Sequence, residues 1–242
     1  RMRRAALRYA KDNGLLPFSK AQRVLVVSKV TRYENELSKL ASVHGPQRAG
    51  PLMRDAATSQ GSDLEWLSRT HEAHEAFVRA LVKGAQRLPR ISSVKVVKCY
   101  GGLTREHIAD ADFIFSMGGD GTFLRTASFI QDFGRAPLLC GINTDPQRSE
   151  GFLCVNHDAG ARDTGAGPRA PRTCPVGQPE NVDDFLGCLS SDGVHYITRQ
   201  RIRVSVAPAE GSAAGSGAGS GGAAEGGGGA FVFCPLLCVT VR

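Results

Sequence analysis

The stretch DFIFSMGGDGTFLRTASFIQD, residues 112–132, decides the reading of this chain. An apolar run at 112–116 reads as a buried strand, and residues 123–132 carry apolar positions at helical spacing. Between them stands Met117-Gly118-Gly119-Asp120-Gly121-Thr122. Glycines at 118, 119 and 121 let the backbone approach a ligand with no Cβ in the way. Amides at the start of the following helix, with its dipole, favour phosphate. A carboxylate in such an anion site repels phosphate. Asp120 makes sense there as a base that takes a hydroxyl proton, or as a ligand for Mg²⁺ that offsets the repulsion. The plain alternative is that Asp120, or Thr122, caps the helix. One cap does not require three glycines.

Outward from this unit the same grammar repeats. QRVLVVSKV at 22–30 is a Val-rich run that reads as a buried parallel-type strand. From residue 63, DLEWLSRTHEAHEAFVRALVKGAQRL places Leu64, Leu67, Phe77, Val78, Leu81, Val82, Ala85 and Leu88 at helical spacing. His71 and His74 share that side. Ser62 with Glu65 forms a candidate capping box, and Pro89 ends the helix. SVKVVKCY at 93–100 is a second strand, residues 104–109 a short helix, and PLLCGI at 137–142 a fourth strand. Strands alternating with helices imply a parallel sheet covered on both faces. Ligands in such folds bind beyond the carboxyl ends of the strands, which selects the loops 29–34, 117–122 and 143–151.

Beyond residue 157 the text changes. Residues 158–180 are rich in Gly, Pro, Ala and Arg and read as a loop insertion, and 182–189 as a short helix. TRQRIRVSV at 198–206 alternates as a strand does, and 231–241 is again strand-like. Residues 207–230 are almost entirely Gly, Ala and Ser, so they are expected to be disordered and dispensable. A β-rich domain is expected to begin near 181–190, and two strands do not stand alone.

Composition narrows the partners. The net charge of +7 over 242 residues suits an anionic partner. Basic blocks interleaved with aromatics are missing, which argues against nucleic acid. No apolar run is long enough to span a membrane as a helix. Seven cysteines without a CxxC pair point to a reduced compartment, with Cys99 and Cys140 as small core hydrophobes and Cys234 and Cys238 as strand thiols. Residues 1–11 are basic and free of acid; they read equally as the tail of an Arg-rich transit peptide or as a solvated first helix.

Gly118-Gly119-Asp120-Gly121-Thr122 resembles the loop of a kinase superfamily. It includes NAD kinases, diacylglycerol and sphingosine kinases and, with Ser last, phosphofructokinases. Gly141-Ile142-Asn143-Thr144-Asp145-Pro146 and Arg148-Ser149-Glu150-Gly151-Phe152-Leu153-Cys154 look like the second motif of the mitochondrial branch of NAD kinases. Lys29-Val30-Thr31-Arg32-Tyr33-Glu34 and Arg199-Gln200-Arg201-Ile202-Arg203 match the same branch.

That resemblance implies an α/β fold: a parallel-sheet Rossmann-like amino-terminal domain at 21–157, after a basic segment at 1–20. An incomplete β-rich, NAD-binding domain then follows at 181–242. It implies transfer of the γ-phosphoryl group of ATP to the adenosine ribose 2′-hydroxyl of NAD, giving NADP, with Mg²⁺ bridging the triphosphate. Asp120 would be the catalytic base and Gly121 would face the NAD adenosine. Gly118, Gly119 and Thr122 would lie along the phosphates, and Asn143 would contact ligand or shape its loop with Asp145. Val155 falls where many members place an aromatic over the adenine, and core packing is the alternative. The expected partners are NAD and ATP, with no nucleic acid and no membrane. The resemblance also implies a homodimer at full length and a mitochondrial location, with a cytoplasmic one as the alternative.

Two features depart from the family: the Asn-Glu or Asn-Asp pair of its second domain is missing, and so is a later Gly-Ser/Thr-rich segment. The chain alone is therefore expected to be inactive. The competing readings are a lipid kinase with the same glycine loop and a non-catalytic nucleotide-binding fragment. Two weaker features remain. His71 and His74, three apart on one helix, could bind zinc, although partly buried helix histidines are commoner and no metal site is assigned. Lys29 and Arg32 stand where phosphate would bind, or on a solvated face.

Overall fold

The computed structural model describes residues 16–59, 64–130, 137–155, 179–191, 195–201 and 234–240. Strand β1 (Arg23–Ser28) is exposed only at Arg23 and buried from Val24 to Ser28. Its side chains alternate between two cores, as the strand period of two requires. Val24 and Val26 join Phe18, Phe113, Phe115 and Cys140 in one core. Leu25 and Val27 join Ile114, Leu139 and Cys99 in the other. A strand buried on both faces loses the polar alternation of a half-exposed strand, hence the run VLVV.

Helix α1 (Arg32–His44), α2 (Pro46–Ser59) and α3 (Leu64–Gln86) lead from β1 to β2 (Ser93–Lys98). Then come α4 (Arg105–Ala109), β3 (Phe113–Met117), α5 (Asp120–Phe129) and β4 (Leu138–Ile142). Helix α6 (Val182–Ser190) precedes β5 (His195–Arg201) and β6 (Cys234–Thr240). Helices α3 and α6 cover the first core through Phe77, Leu81, Phe185 and Leu186. Helices α4 and α5 cover the second through Ile108, Phe123 and Ala127.

The sheet order is β2-β1-β3-β4-β6-β5. Strand β1 pairs in parallel with β2 and β3, and β3 pairs in parallel with β4. The parallel α/β core expected from the sequence is thus present. Strands β5 and β6 do not make a sheet of their own. They are antiparallel to each other, and β6 joins the edge of the same sheet beside β4. An unpaired two-stranded ribbon is marginal, and attachment to an existing sheet edge supplies the missing partners. These described strands give no support for a separate β-rich domain.

Boundaries moved by small amounts. The helix expected from residue 123 begins at Asp120, because Gly119 is its N-cap and the Gly119 carbonyl accepts the Thr122 and Phe123 amides. Of the strand expected at 198–206, residues 198–201 lie in β5, which begins earlier at His195, and 202–206 fall outside the described residues. Helices α1 and α2 are additions to the sequence reading. Helix α1 buries no residue, although Tyr33, Leu37, Leu40 and Ala41 recur at helical spacing. Its start was legible, since Thr31 and Glu34 form a capping box. The expected leader or first helix at 1–11, the Ser62 cap, nearly all of the 158–180 insertion and the whole 207–230 insert lie outside the described residues. Among the described residues no helix is long and apolar enough to cross a membrane.

Candidate nucleotide site

Strand β1 sends its connection to β2 on one side, whereas β3 sends its connection to β4 on the other. The crevice between the carboxyl ends of β1 and β3 is therefore a topological switch point, where open α/β sheets bind ligands. The three loops selected from the sequence meet there. The Lys29 amide donates to the Met117 carbonyl at 2.9 Å, and a Cβ on Gly118 would lie 3.1 Å from the Lys29 Cβ. Ser149, from the third loop, lies against Gly119.

The glycine loop turns sharply out of β3 into α5. A Cβ at Gly118 would collide with Thr122, and one at Gly119 would come 2.5 Å from Ser149 Oγ. Those two glycines are needed by the fold. Gly121 is different: a Cβ there would meet nothing within 4 Å. Among the described residues, no hydrogen bond takes up the amides of Gly119, Asp120 or Gly121. Helix α5 thus begins with unpaired amides and no side-chain cap, a ready site for an anion.

Asp120 is not the cap. It is the first residue of α5, and its carboxylate reaches sideways to the loop after β4. The Leu153 amide donates to Oδ1 at 2.8 Å and the Phe152 amide to Oδ2 at 3.1 Å. A carboxylate offers about four lone-pair sites. Those bonds, with a longer contact from the Cys154 thiol to Oδ1 at 4.0 Å, orient the group and leave lone-pair capacity on it for a hydroxyl. No ion pair among the described residues involves Asp120.

Asn143 is fully buried. Its side-chain amide donates to the Ser149 carbonyl at 2.6 Å, and its Oδ1 accepts the Asp145 amide at 3.0 Å. Gly151, at φ +59°, packs directly on that side chain, where a Cβ would come 2.5 Å from Nδ2. In this geometry Asn143 scaffolds its loop. Arg148 of the same loop lies over the Trp66 ring of α3 at 3.8 Å. Val155 packs on the first core, in line with the packing alternative.

Behind the loops lies a polar cluster. His74 is fully buried between Ser28 Oγ and Thr144 Oγ1, each at 2.9 Å. Burial, followed by the Lys29 and Lys98 charges, pushes it down to about 3, so it is neutral. His71 stacks on Tyr33 and meets Thr31 Oγ1 at 2.9 Å. The two histidines therefore serve different partners. Glu34, His71 and Glu75 bring ligand atoms within 4.8 Å of one another. The Lys98 ammonium already holds both of those carboxylates at 2.8 Å, doing the work of a cation.

Lys29 is largely covered, and burial pushes its ammonium below the ordinary lysine value despite Asp145 at 3.9 Å. Arg32 is exposed at the start of α1. The Arg148–Trp66 contact and the His74 bridge went unforeseen, since nothing in helical spacing reveals which loop a side chain will meet.

Sheet, switch point and uncapped glycine-lined helix make an open α/β domain with an anion-suited helix start at its crevice. No family model matches the chain. Curated proteins do. The chain is 38% identical over 133 residues to "NAD kinase 2, mitochondrial" of Xenopus tropicalis, covering 55% of this chain and 29% of that protein. It is 32% identical over 144 residues to the Homo sapiens protein of the same name, covering 60% and 30%. With the Rattus norvegicus protein the figures are 28% over 193 residues, 80% and 38%. These relatives support membership of the mitochondrial-type NAD kinase family. The chain spans about a third of the length of the curated relatives it matches.

Proposed function

We propose that this chain carries the nucleotide-handling part of an NAD kinase that acts in mitochondria. The observation that carries the reading is the start of α5: unpaired amides, a glycine that packing does not require, and a carboxylate aimed away from the helix. Phosphoryl transfer asks a protein mainly to position groups and to stabilise charge. The amides of residues 119–121 would hold phosphate oxygens of ATP. Lys29, covered and beside Gly118, would add positive charge. Asp120, oriented by the Phe152 and Leu153 amides, would accept the 2′-hydroxyl proton of the NAD ribose as that oxygen attacks the γ-phosphorus in line. Asn143 would act through the shape of its loop.

Mg²⁺ would enter as part of the ATP substrate, since it is usually held by phosphates with one or two carboxylates. The open lone pairs of Asp120 fit that use. Incubation with NAD, ATP and Mg²⁺, with NADP followed by a coupled dehydrogenase, tests the reading. A version extended to the length of its relatives should turn over, and its Asp120→Asn variant should not.

A further inference from the structure

His74 is a polar residue on a helix face otherwise built from Phe77, Val78 and Leu81. Both of its ring nitrogens meet hydroxyls at 2.9 Å. One direction of this chain of bonds satisfies every group. The Ser28 hydroxyl donates to the Lys29 carbonyl at 3.2 Å, and its oxygen accepts the Lys98 ammonium at 3.4 Å and His74 Nε2–H at 2.9 Å. A neutral ring protonated at Nε2 has a bare Nδ1, which accepts the Thr144 hydroxyl. The bonds then run one way, from Thr144 through His74 and Ser28 to the Lys29 carbonyl.

That wire joins the end of β1 to the loop after β4. The same loop rests Ser149 on Gly119 and sends the Phe152 and Leu153 amides to Asp120. Packing alone would be served by an aliphatic residue, whereas a two-ended group also meets the buried Ser28 hydroxyl and the half-buried Thr144 hydroxyl. We propose that His74 is a positioning residue, which holds the 143–151 loop over the glycine loop through Thr144 and so sets the geometry of the nucleotide site. This rests on the reading of residues 118–122 as a site for nucleotide.

The test uses the 242-residue chain, with MgATP affinity measured by calorimetry beside thermal melting. Variants are His74→Leu, Thr144→Val, the double variant and His74→Asn, whose carbonyl stands near the Nδ1 position. Each single loss should weaken MgATP binding about tenfold, a difference that calorimetry resolves. The double variant should bind no worse than either single, because both break one chain of bonds. His74→Asn should recover most of the affinity. If His74→Leu does not fold, Thr144→Val and His74→Asn carry the same comparison. Folded variants that bind MgATP within about twofold of the unaltered chain would overturn the positioning role alone. An unaltered chain that binds no MgATP would overturn the nucleotide reading, and this inference with it.

Discussion

Two aspartates sit at opposite ends of the sheet, and each accepts two backbone amides. Asp112, before β3, takes the Gln22 and Arg23 amides on Oδ2 at 3.0 and 2.9 Å. The Arg23 guanidinium closes its Oδ1 at 3.0 Å. Asp120, after β3, takes the Leu153 and Phe152 amides, and no described cation pairs with it. The first carboxylate is buried, charge-paired and aimed at β1. The second stands beside open helix amides at the switch point. Similar local chemistry thus serves a charge-paired clamp in one place and leaves a carboxylate with no described cation in the other.

The largest expected effect separates the two. In a version extended to the length of the curated relatives, Asp120→Asn should lower NADP formation by about 10²–10⁴-fold, the usual span for loss of a general base. Asp112→Asn in the same background should leave turnover within a few-fold. Steady-state kinetics on the pair would erase the distinction if both variants fell alike. The converse holds for stability. Asp112→Ala strands the two amides and the guanidinium and should cost about 2–3 kcal/mol in denaturant unfolding. Asp120→Asn should cost about 1 kcal/mol, since it gives up one amide bond.

Acid should read the clamp in a predictable direction. Burial pushes the Asp112 carboxyl up, and the Arg23 side chain with the two amides more than reverses this, leaving it below its ordinary 3.8. A carboxyl lowered by folding contributes stability that is present above pH 3.8 and is lost as pH falls towards its folded value. His74 falls from 6.5 to about 3 on folding, chiefly through burial. Its contribution is therefore full above pH 6.5 and drains away between pH 6.5 and 3. Unfolding free energies measured across that window should show a slope of at most about 1.4 kcal/mol per pH unit from this group. His74→Leu should flatten the curve between pH 6.5 and about 4, where Asp112→Asn should leave it unchanged.

How much of this was legible depends on what each residue has to satisfy. The runs VLVV and FIF are buried on both faces, and that demand is written into composition, so β1, β3 and β4 could be read directly. The glycine loop was legible because backbone approach has few sequence solutions. Helix α1 buries nothing, so its apolar spacing pointed to no core. The roles of His74 and Asn143 hide because each depends on partners far along the chain, Ser28 and Thr144 for one and a whole loop for the other. The place of the outer strands was not legible, because alternation reports a half-exposed strand without naming the sheet it will join.

The most direct measurement concerns Gly121. Its Cβ position is open, and it lies in the first turn of α5, where glycine is intrinsically poor. If the glycine serves a ligand, Gly121→Ala should leave folding stability unchanged or raise it by up to about 1 kcal/mol. The same variant should bind MgATP at least about tenfold more weakly than the unaltered chain, because the methyl group enters the space the nucleotide needs. Melting and calorimetry on one pair of proteins give both numbers. A variant equally or more stable that has lost MgATP affinity is the predicted result. A variant that binds MgATP as tightly as the unaltered chain would contradict the assignment of this loop as a nucleotide site.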